Sequence, residues 1–243
     1  MKEKLAVVFL LAALSGWGAE AEKKPLAAAA MGAVKGEVPA SAADFVPPSH
    51  DVAVFGGSFS VIPETRVAKD AWRRKINCTV SDFGIGGCGF VAGREKQNDV
   101  PNQVARALAT GVKFDLFVLW ASTNDIWGRD VAKQDAGIEK AVALIREKAP
   151  TAKVVFFTSM PIPLKAKENE LLGTFVAGQV KTCERLGVPC LDLYAKSGIT
   201  AENAAALSGK DRFHPNEAGY AKVKDLQADF LASCLVPDGK GTK

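Results

Sequence analysis

Five short apolar segments alternate with longer segments of helical spacing along residues 51–231, and this alternation restricts the fold more than any other feature. The third segment, at 114–120 (FDLFVLW), is apolar at six of its seven positions and has no polar face. Strands that are apolar throughout are buried on both sides, which is typical of a parallel sheet covered by helices on each face. The pattern therefore predicts a single α/β domain of three layers, α/β/α, around a mostly parallel five-stranded sheet.

The predicted strands and helices follow one another in order along the chain. Strands are expected at 52–55, 78–83, 114–120, 154–157 and 189–193, and helices at 64–75, 102–110, 131–148, 168–186 and 215–231. Pro215 should open the last helix, because the first position of a helix needs no N–H group. Ligands of parallel sheets bind beyond the carboxyl ends of the strands. Glycine-rich and polar segments follow the first three strands of this chain, which places a functional site at that edge of the sheet.

The first 21 residues have the organisation of a signal peptide. Lys2 and Lys4 precede an apolar run at 5–14, and the segment 19–21 (AEA) supplies a small-residue cleavage site. The run is shorter than the roughly 18 residues that a membrane span requires, which favours cleavage over anchoring. We therefore expect a secreted or periplasmic protein with no stable membrane anchor after cleavage. An Ala/Pro-rich linker or surface strap is expected at 22–48, the folded domain at 49–234 and a short tail at 235–243.

Composition excludes some classes of partner and cofactor. The net charge is +4 over 243 residues without a basic block, so nucleic acid is not an expected partner. No His/Cys cluster has the spacing of metal ligands, and neither a metal nor another cofactor is expected. Five cysteines are an odd number for an exported protein. Cys183 and Cys190 are candidates for a disulfide, and at least one thiol should stay unpaired, with inert burial as its simplest role.

Only two histidines occur, and His214 is the better candidate for a general base. Asp211 lies three residues before it and can accept a hydrogen bond from the imidazole Nδ1, which leaves Nε2 to take a proton from a hydroxyl. The alternative is that Asp211 caps the helix expected after it. His50 precedes the first strand, at the opposite edge from the expected site, and is interpreted as a surface residue rather than a second base.

Ser58 is the candidate nucleophile. It directly follows Gly56 and Gly57 at the end of the first strand, in a turn whose glycines allow close approach of another backbone or of a substrate. Ser60 is the competing candidate. We prefer Ser58 because it lies nearer the strand end, where the chain is most rigid.

Two later segments can supply donors to the oxyanion that develops during acyl transfer. The glycine-rich segment 84–89 can turn a backbone N–H into the site, and Asn124, after the third strand, can add a side-chain N–H. Each segment also fits an ordinary turn. Phe90 and Trp127 follow closely in sequence and are candidates for the walls of an acyl pocket, with hydrophobic packing as the alternative for each.

These segments resemble, in the same order, the four sequence blocks of the SGNH (GDSL-like) serine hydrolases. The blocks lie at 56–60 (GGSFS), 82–87 (DFGIGG), 122–125 (STND) and 211–214 (DRFH). The resemblance spans about residues 51–232 and identifies 49–234 as an SGNH hydrolase domain. Two positions depart from the family pattern, since Gly57 replaces its Asp and Ser122 replaces its Gly. Neither position carries a proton in the family mechanism, so activity is expected to survive.

The resemblance implies a flavodoxin-like SGNH hydrolase fold and an exported serine esterase. Ser58, His214 and Asp211 would form its catalytic triad. The N–H groups of Ser58 and Gly87, with the side chain of Asn124, would form its oxyanion hole. The implied substrate is a small-molecule or carbohydrate ester with a small acyl group, in particular O-acetyl. The alternatives are a lipase or thioesterase that acts on longer acyl chains, and a non-catalytic carbohydrate-binding member of the fold.

Overall fold

The computed structural model describes residues 48–91, 93 and 97–236. The expected signal peptide, all but the last residue of the expected linker, and residues 237–243 of the expected tail lie outside the described residues. None of the described helices is both long and apolar enough to cross a bilayer.

Five strands and eight α-helices make up the described part of the chain. The strands are β1 (His50–Gly56), β2 (Cys78–Asp82), β3 (Leu116–Trp120), β4 (Lys153–Phe157) and β5 (Cys190–Leu191). The helices are α1 (Ser58–Val61), α2 (Arg66–Ile76), α3 (Val100–Ala109), α4 (Val131–Lys148), α5 (Ala166–Leu186), α6 (Leu193–Lys196), α7 (Ala204–Leu207) and α8 (Glu217–Leu235). Two short 3-10 helices lie at Pro63–Thr65 and Asn124–Gly128. All five strands run parallel in the order β2-β1-β3-β4-β5, which confirms the predicted sheet.

Side chains alternate between the two faces of the sheet and build a separate core on each. Along β1, Val52 and Val54 belong to one core, while Ala53 and Phe55 belong to the other. Helices α2 and α8 cover the first face, α3 and α4 cover the second, and α5 contributes to both. The four β1 side chains are fully buried, and burial of a large apolar side chain contributes about 1.5–3 kcal/mol. Strand β1 is therefore held rigidly from both faces of the sheet.

The register between neighbouring strands brings their carboxyl ends level. Gly56 of β1 pairs with Trp120, the last residue of β3. Val54 of β1 pairs with Asp82, the last residue of β2. The segments that follow these three strands therefore start at one edge of the sheet, where the sequence predicts the functional site.

The start of the last helix differs from the expectation drawn from the sequence. Helix α8 begins at Glu217 rather than at Pro215, because the side chain of Asn216 accepts a hydrogen bond from the Gly219 N–H and caps the helix. Pro215 instead forms an antiparallel bridge with Ser208.

The cysteines, all of which lie in the described part, are free thiols. The disulfide considered between Cys183 and Cys190 is therefore not formed. The neighbouring Cys190 thiol and burial both raise the pKa of Cys183.

Candidate active site

Ser58 lies where β1 ends and the one-turn helix α1 begins. Gly57 caps this helix in an extended conformation, with φ −100° and ψ −156°, and Ser58 is its first residue. Ser58 is partly exposed, whereas Ser60 is fully buried and its hydroxyl donates to the Gly57 carbonyl oxygen at 2.8 Å. Ser58 is thus exposed to the site, whereas the Ser60 hydroxyl is buried in a hydrogen bond to the backbone.

His214 connects Ser58 to Asp211. Its Nε2 lies 2.8 Å from Ser58 Oγ, and its Nδ1 lies 2.6 Å from Asp211 Oδ2. The chain turns sharply just before the histidine, where Arg212 has a positive φ of 58°. The other carboxylate oxygen of Asp211 accepts the backbone N–H groups of Phe213 and His214, both at 3.0 Å. The fold thus brings the three predicted side chains into one hydrogen-bonded line.

The Asp211 carboxylate keeps its charge in this environment. Burial opposes its ionisation, but hydrogen bonds from the His214 ring and from the N–H groups of Phe213 and His214 outweigh burial and lower the pKa of Asp211 to about 2. A charged carboxylate at Nδ1 holds the proton there and leaves Nε2 as the acceptor toward a hydroxyl. Since Asn216 caps α8, the alternative role of Asp211 as the helix cap is not supported.

Two phenylalanine rings pack against the imidazole of His214. The rings of Phe59 and Phe213 each have their centroid 5.1 Å from that of the imidazole. Phe59 belongs to α1 and directly follows Ser58, so the nucleophile helix also supports the base. This packing restricts the ring orientations open to His214 and favours the one that faces Ser58.

The loop after β2 and the segment after β3 meet beside Gly57. Asn124 Nδ2 donates to the Cys88 carbonyl oxygen at 2.9 Å and to the Ser122 hydroxyl at 3.1 Å. A Cβ atom built on Gly57 would overlap the Cys88 carbonyl oxygen and lie 2.9 Å from Asn124 Nδ2. Gly87, which precedes Cys88, has a φ of 79°, a conformation that favours glycine. The predicted oxyanion segments therefore lie next to the nucleophile turn.

Asp125 fixes the loop that carries Gly87. Its carboxylate is buried and accepts the N–H groups of Phe90 at 2.8 Å and Val91 at 2.9 Å. A Cβ atom on Gly89 would collide with this carboxylate, so the loop can approach it closely only with glycine there. The last residue of the third block is thus a support for the second block.

Lys69 supports the nucleophile helix from α2, a contact that the sequence did not reveal. Its buried Nζ donates to the Ser60 carbonyl oxygen at 2.5 Å and to both carboxylate oxygens of Asp82 at 2.6 and 2.7 Å. Burial lowers the pKa of Lys69, and the neighbouring Asp82 carboxylate opposes this effect. The available signal in the sequence was a lysine directly after Ala68 and three residues before Trp72, two apolar positions of the predicted helix.

Gln103 and Tyr220 hold three further backbone groups of the nucleophile turn. The Gln103 side chain accepts the Gly56 N–H at 3.1 Å and donates to the Gly56 carbonyl oxygen at 3.2 Å. The fully buried Tyr220 hydroxyl donates to the Phe59 carbonyl oxygen at 3.0 Å. The residues on both sides of Ser58 are therefore fixed by side chains from α3 and α8.

The remaining predicted residues fall in different places. Phe90 is only 2% exposed and stacks on Phe156 in the core, which favours its packing alternative. Trp127 is 60% exposed on the 3-10 helix after β3 and is accessible to a substrate. His50 lies at the start of β1, at the opposite end of that strand from Ser58. Among the described residues, no group of three or more His, Cys, Asp or Glu side chains is arranged to hold a metal ion.

A groove of about 610 Å³ runs beside α1 and the N-terminal ends of α2 and α8. We call it the α1 groove. Val61, three residues after Ser58, and Glu217, three residues after His214, both line it. Its other charged lining residues carry both signs and are Glu64, Arg66, Lys69, Asp70, Arg73 and Asp82. A second, largely apolar cavity of about 300 Å³ lies between 161–166 and 199–204.

Comparison with known proteins identifies the family of this chain. The model of the GDSL-like Lipase/Acylhydrolase family matches residues 54–222. No curated protein matches the chain. A solved member of the lipolytic protein G-D-S-L family from Veillonella parvula DSM 2008 is 19% identical, with a TM-score of 0.61, and the match covers 76% of this chain and 99% of that one.

Two solved esterases share the fold at lower identity. The native aryl esterase of M. smegmatis is 14% identical, with a TM-score of 0.61, over 77% of this chain and 100% of that one. Est24, a carbohydrate acetylesterase from Sinorhizobium meliloti, is 14% identical, with a TM-score of 0.59, over 76% of this chain and 99% of that one. With a family model matching well over half of its length on an SGNH hydrolase fold, the chain belongs to the GDSL-like lipase/acylhydrolase family and is an enzyme that hydrolyses ester bonds.

Proposed function

We propose that the protein is an exported serine esterase that removes small acyl groups, in particular O-acetyl groups on carbohydrates, through an acyl-enzyme on Ser58. The observation that carries the proposal is the line of contacts from Ser58 Oγ through His214 to Asp211, at 2.8 and 2.6 Å. In this arrangement a neutral imidazole can take the hydroxyl proton while the oxygen attacks a carbonyl carbon.

The proposed reaction has two stages. Ser58 Oγ attacks the ester carbonyl as its proton passes to His214 Nε2, and the tetrahedral intermediate collapses when His214 returns that proton to the departing alcohol. Water then attacks the acyl group, with His214 again as base, and releases the acid and free Ser58. Asp211 stabilises the transient imidazolium. The N–H groups of Ser58 and Gly87 and the side chain of Asn124 are the donors to the oxyanion.

The character of the α1 groove supports a hydroxylated alcohol as the leaving group. The groove is lined by Val61 of the nucleophile helix and by Glu217, each three residues along the chain from a triad residue, and its lining carries charged groups of both signs. Such a lining can hydrogen-bond to sugar hydroxyls and is poorly suited to an alkyl chain. The acetylesterase among the solved structures that share the fold is described as acting on carbohydrate, in line with this assignment.

A fluorophosphonate probe tests the nucleophile, because it reacts covalently with an activated serine. The wild-type protein should label, and Ser58→Ala should abolish labelling. Ser60→Ala is the matched control and should still label, since its hydroxyl is buried against the Gly57 carbonyl. A folded wild-type protein that does not react would favour the non-catalytic alternative, and labelling retained in Ser58→Ala would assign the nucleophile to another residue.

A series of p-nitrophenyl esters tests the acyl length. We expect kcat/KM to be highest for acetate and to fall for butyrate and octanoate. The apolar cavity between 161–166 and 199–204 is the observation that favours the alternative of a lipase or thioesterase. Preference for octanoate would support that alternative, and release of acetate from an O-acetylated oligosaccharide would support the carbohydrate assignment directly.

A further inference from the structure

Gly57 and Ser122, the two positions that depart from the family pattern, are neighbours in space. A Cβ atom built on Gly57 would lie 2.7 Å from Ser122 Cβ, whereas carbon atoms in contact are about 3.5–4.0 Å apart. The φ of Gly57 is −100°, which any residue can adopt, so the constraint at this position is space rather than backbone conformation. In this arrangement the Ser122 side chain and the Cys88 carbonyl oxygen, which would lie even closer to that Cβ atom, leave no room for a side chain at Gly57.

The Ser122 hydroxyl forms a closed set of hydrogen bonds with Asn124 and Cys88. It donates to the Cys88 carbonyl oxygen at 2.6 Å and accepts from the Asn124 side chain at 3.1 Å and from the Asn124 backbone N–H at 3.2 Å. Asn124 Nδ2 donates to the same Cys88 oxygen at 2.9 Å. Ser122 is 2% exposed and Cys88 is fully buried, so water does not compete for these bonds.

We propose that Ser122 is the positioning residue for the oxyanion donor Asn124, and that Gly57 lacks a side chain in order to make room for it. The proposal rests on the proposed esterase function. Ser122 touches no reacting atom. It holds the Asn124 amide and the Cys88 carbonyl group in place before substrate binds, and a donor aligned in advance needs no reorganisation during the reaction.

The same geometry explains why Gly57 and Ser122 depart from the family pattern together, as an exchange of side chains between the two positions. The family carries a side chain at the position of Gly57 and a glycine at the position of Ser122. In this chain the occupied and the empty position are reversed, and the side chain that braces the turn comes from the end of β3 instead of from the end of β1.

A double-mutant cycle tests whether Ser122 acts through Asn124. Ser122→Ala keeps the Cβ atom and removes only the hydroxyl, and it should lower kcat by about 5- to 30-fold with little change in KM. Asn124→Ala should lower kcat by about 10²- to 10³-fold. The double variant should be no slower than Asn124→Ala, because the hydroxyl then has no donor to position. The positioning role would be overturned if the two losses in kcat multiplied in the double variant. It would also be overturned if Ser122→Ala had the kcat of the wild-type protein.

A second double-mutant cycle tests the exchange, that is, whether the side chain at Ser122 takes the place of one at Gly57. Gly57→Asp should lower both the melting temperature and kcat, since its side chain would overlap Ser122 and the Cys88 carbonyl oxygen. Adding Ser122→Gly removes one overlap and frees the Cys88 peptide to shift, so the double variant should recover part of both losses. A double variant that is less stable than Gly57→Asp alone would contradict the exchange.

The two cycles separate failure of the proposal from failure of the proposed function. An inactive, unlabelled wild-type protein would overturn the esterase mechanism and with it the catalytic role of Ser122, while thermal unfolding of the Gly57 and Ser122 variants would still decide the exchange. An active wild-type protein with multiplying losses in the first cycle would leave the esterase intact and remove only the positioning role.

Discussion

Asp211 acts on His214 as a fixed negative charge. Its pKa is held at about 2, so the carboxylate stays ionised at every pH well above 2, and its own protonation does not limit activity in mild acid. Asp211→Asn removes the charge that stabilises the imidazolium. We therefore expect the acid limb of the pH–rate profile to move to lower pH and kcat to fall by about 10²- to 10⁴-fold.

The control for this variant is Asp225→Asn, which removes the same charge from an exposed position on α8. It should leave both kcat and the acid limb unchanged. An acid limb that stays in place in Asp211→Asn would mean that the carboxylate does not stabilise the protonated histidine, and that its contact with Nδ1 serves geometry alone.

Replacing two fully buried glutamines with leucine should change the stability of the domain in opposite directions. Within the described part of the chain, neither amide atom of Gln227 on α8 has a hydrogen-bond partner. Gln179 on α5, by contrast, accepts the buried Ser159 N–H at 3.3 Å. Gln227→Leu should raise the free energy of unfolding by about 1–2 kcal/mol, because an unsatisfied polar group leaves the core. Gln179→Leu should lower it by about 1–3 kcal/mol, because the Ser159 N–H loses its partner.

Urea unfolding of both variants at neutral pH measures these two changes. Because the replacements have the same size and the same burial, a general effect of inserting leucine would shift both variants in one direction. Such a common shift would contradict the assignment of their difference to hydrogen bonding.

Among the elements, the predicted types are correct and the errors lie at their ends. Helix α4 has the predicted bounds, since its apolar spacing runs without interruption from Val131 to Lys148. Strand β5 is shorter than predicted because Asp192 leaves the strand and caps α6, with its side chain accepting the Ala195 N–H. Periodicity reports the burial of a whole segment, whereas an end depends on one capping hydrogen bond for which nearby side chains compete.

The contrast between patterns along the chain and single hydrogen bonds also decides how much of the site the sequence could predict. Ser58, His214 and Asn124 stand out because their residue types carry chemistry and their segments follow strands or precede a helix. Lys69 and Gln103 do not stand out, because each binds backbone groups, 9 and 47 residues away, respectively. A sequence does not state which carbonyl a buried side chain will meet, so these supports become visible only in the folded chain.

Lys69 joins α2 to α1 and β2. The direction in which it makes the free energy of unfolding change with pH can be predicted. Burial lowers its pKa below 10.5, the unfolded value, so folding releases a proton in the alkaline range and stability rises with pH there. Lys69→Met should remove this rise and lower the free energy of unfolding at pH 7 by about 1–3 kcal/mol, since the Ser60 carbonyl loses its donor. Urea unfolding between pH 7 and 10 measures both effects.

Lys75 on the same helix is the matched control for Lys69. It is exposed, and its ion pair with Asp229 raises its pKa, so its contribution to stability declines with rising pH. Lys75→Met should therefore preserve the alkaline rise that Lys69→Met removes. If both variants keep the rise, its source is a group other than Lys69.

At the scale of the whole molecule, the site exists only when the complete sheet has formed. Ser58 and His214 are 156 residues apart in sequence, and they meet because β1 lies inside the sheet, between β2 and β3, and α8 packs on α2. The supports of the nucleophile turn come from α2, α3 and α8 on both faces of the sheet. The two apolar cores thus determine the precision of the site as well as the stability of the domain.

Export is the prediction that concerns the full chain. The apolar run at 5–14 is shorter than the roughly 18 residues that a membrane span needs, and small residues stand at Ala19 and Ala21. Expression of the full chain in a bacterium should therefore yield a protein that begins at Glu22 in the periplasm or the medium, as N-terminal sequencing and intact mass would show. Replacing both alanines with arginine should block cleavage and retain the longer chain at the membrane. A full-length wild-type protein in the cytosol would contradict export, and the substrate would then have to be sought among intracellular esters.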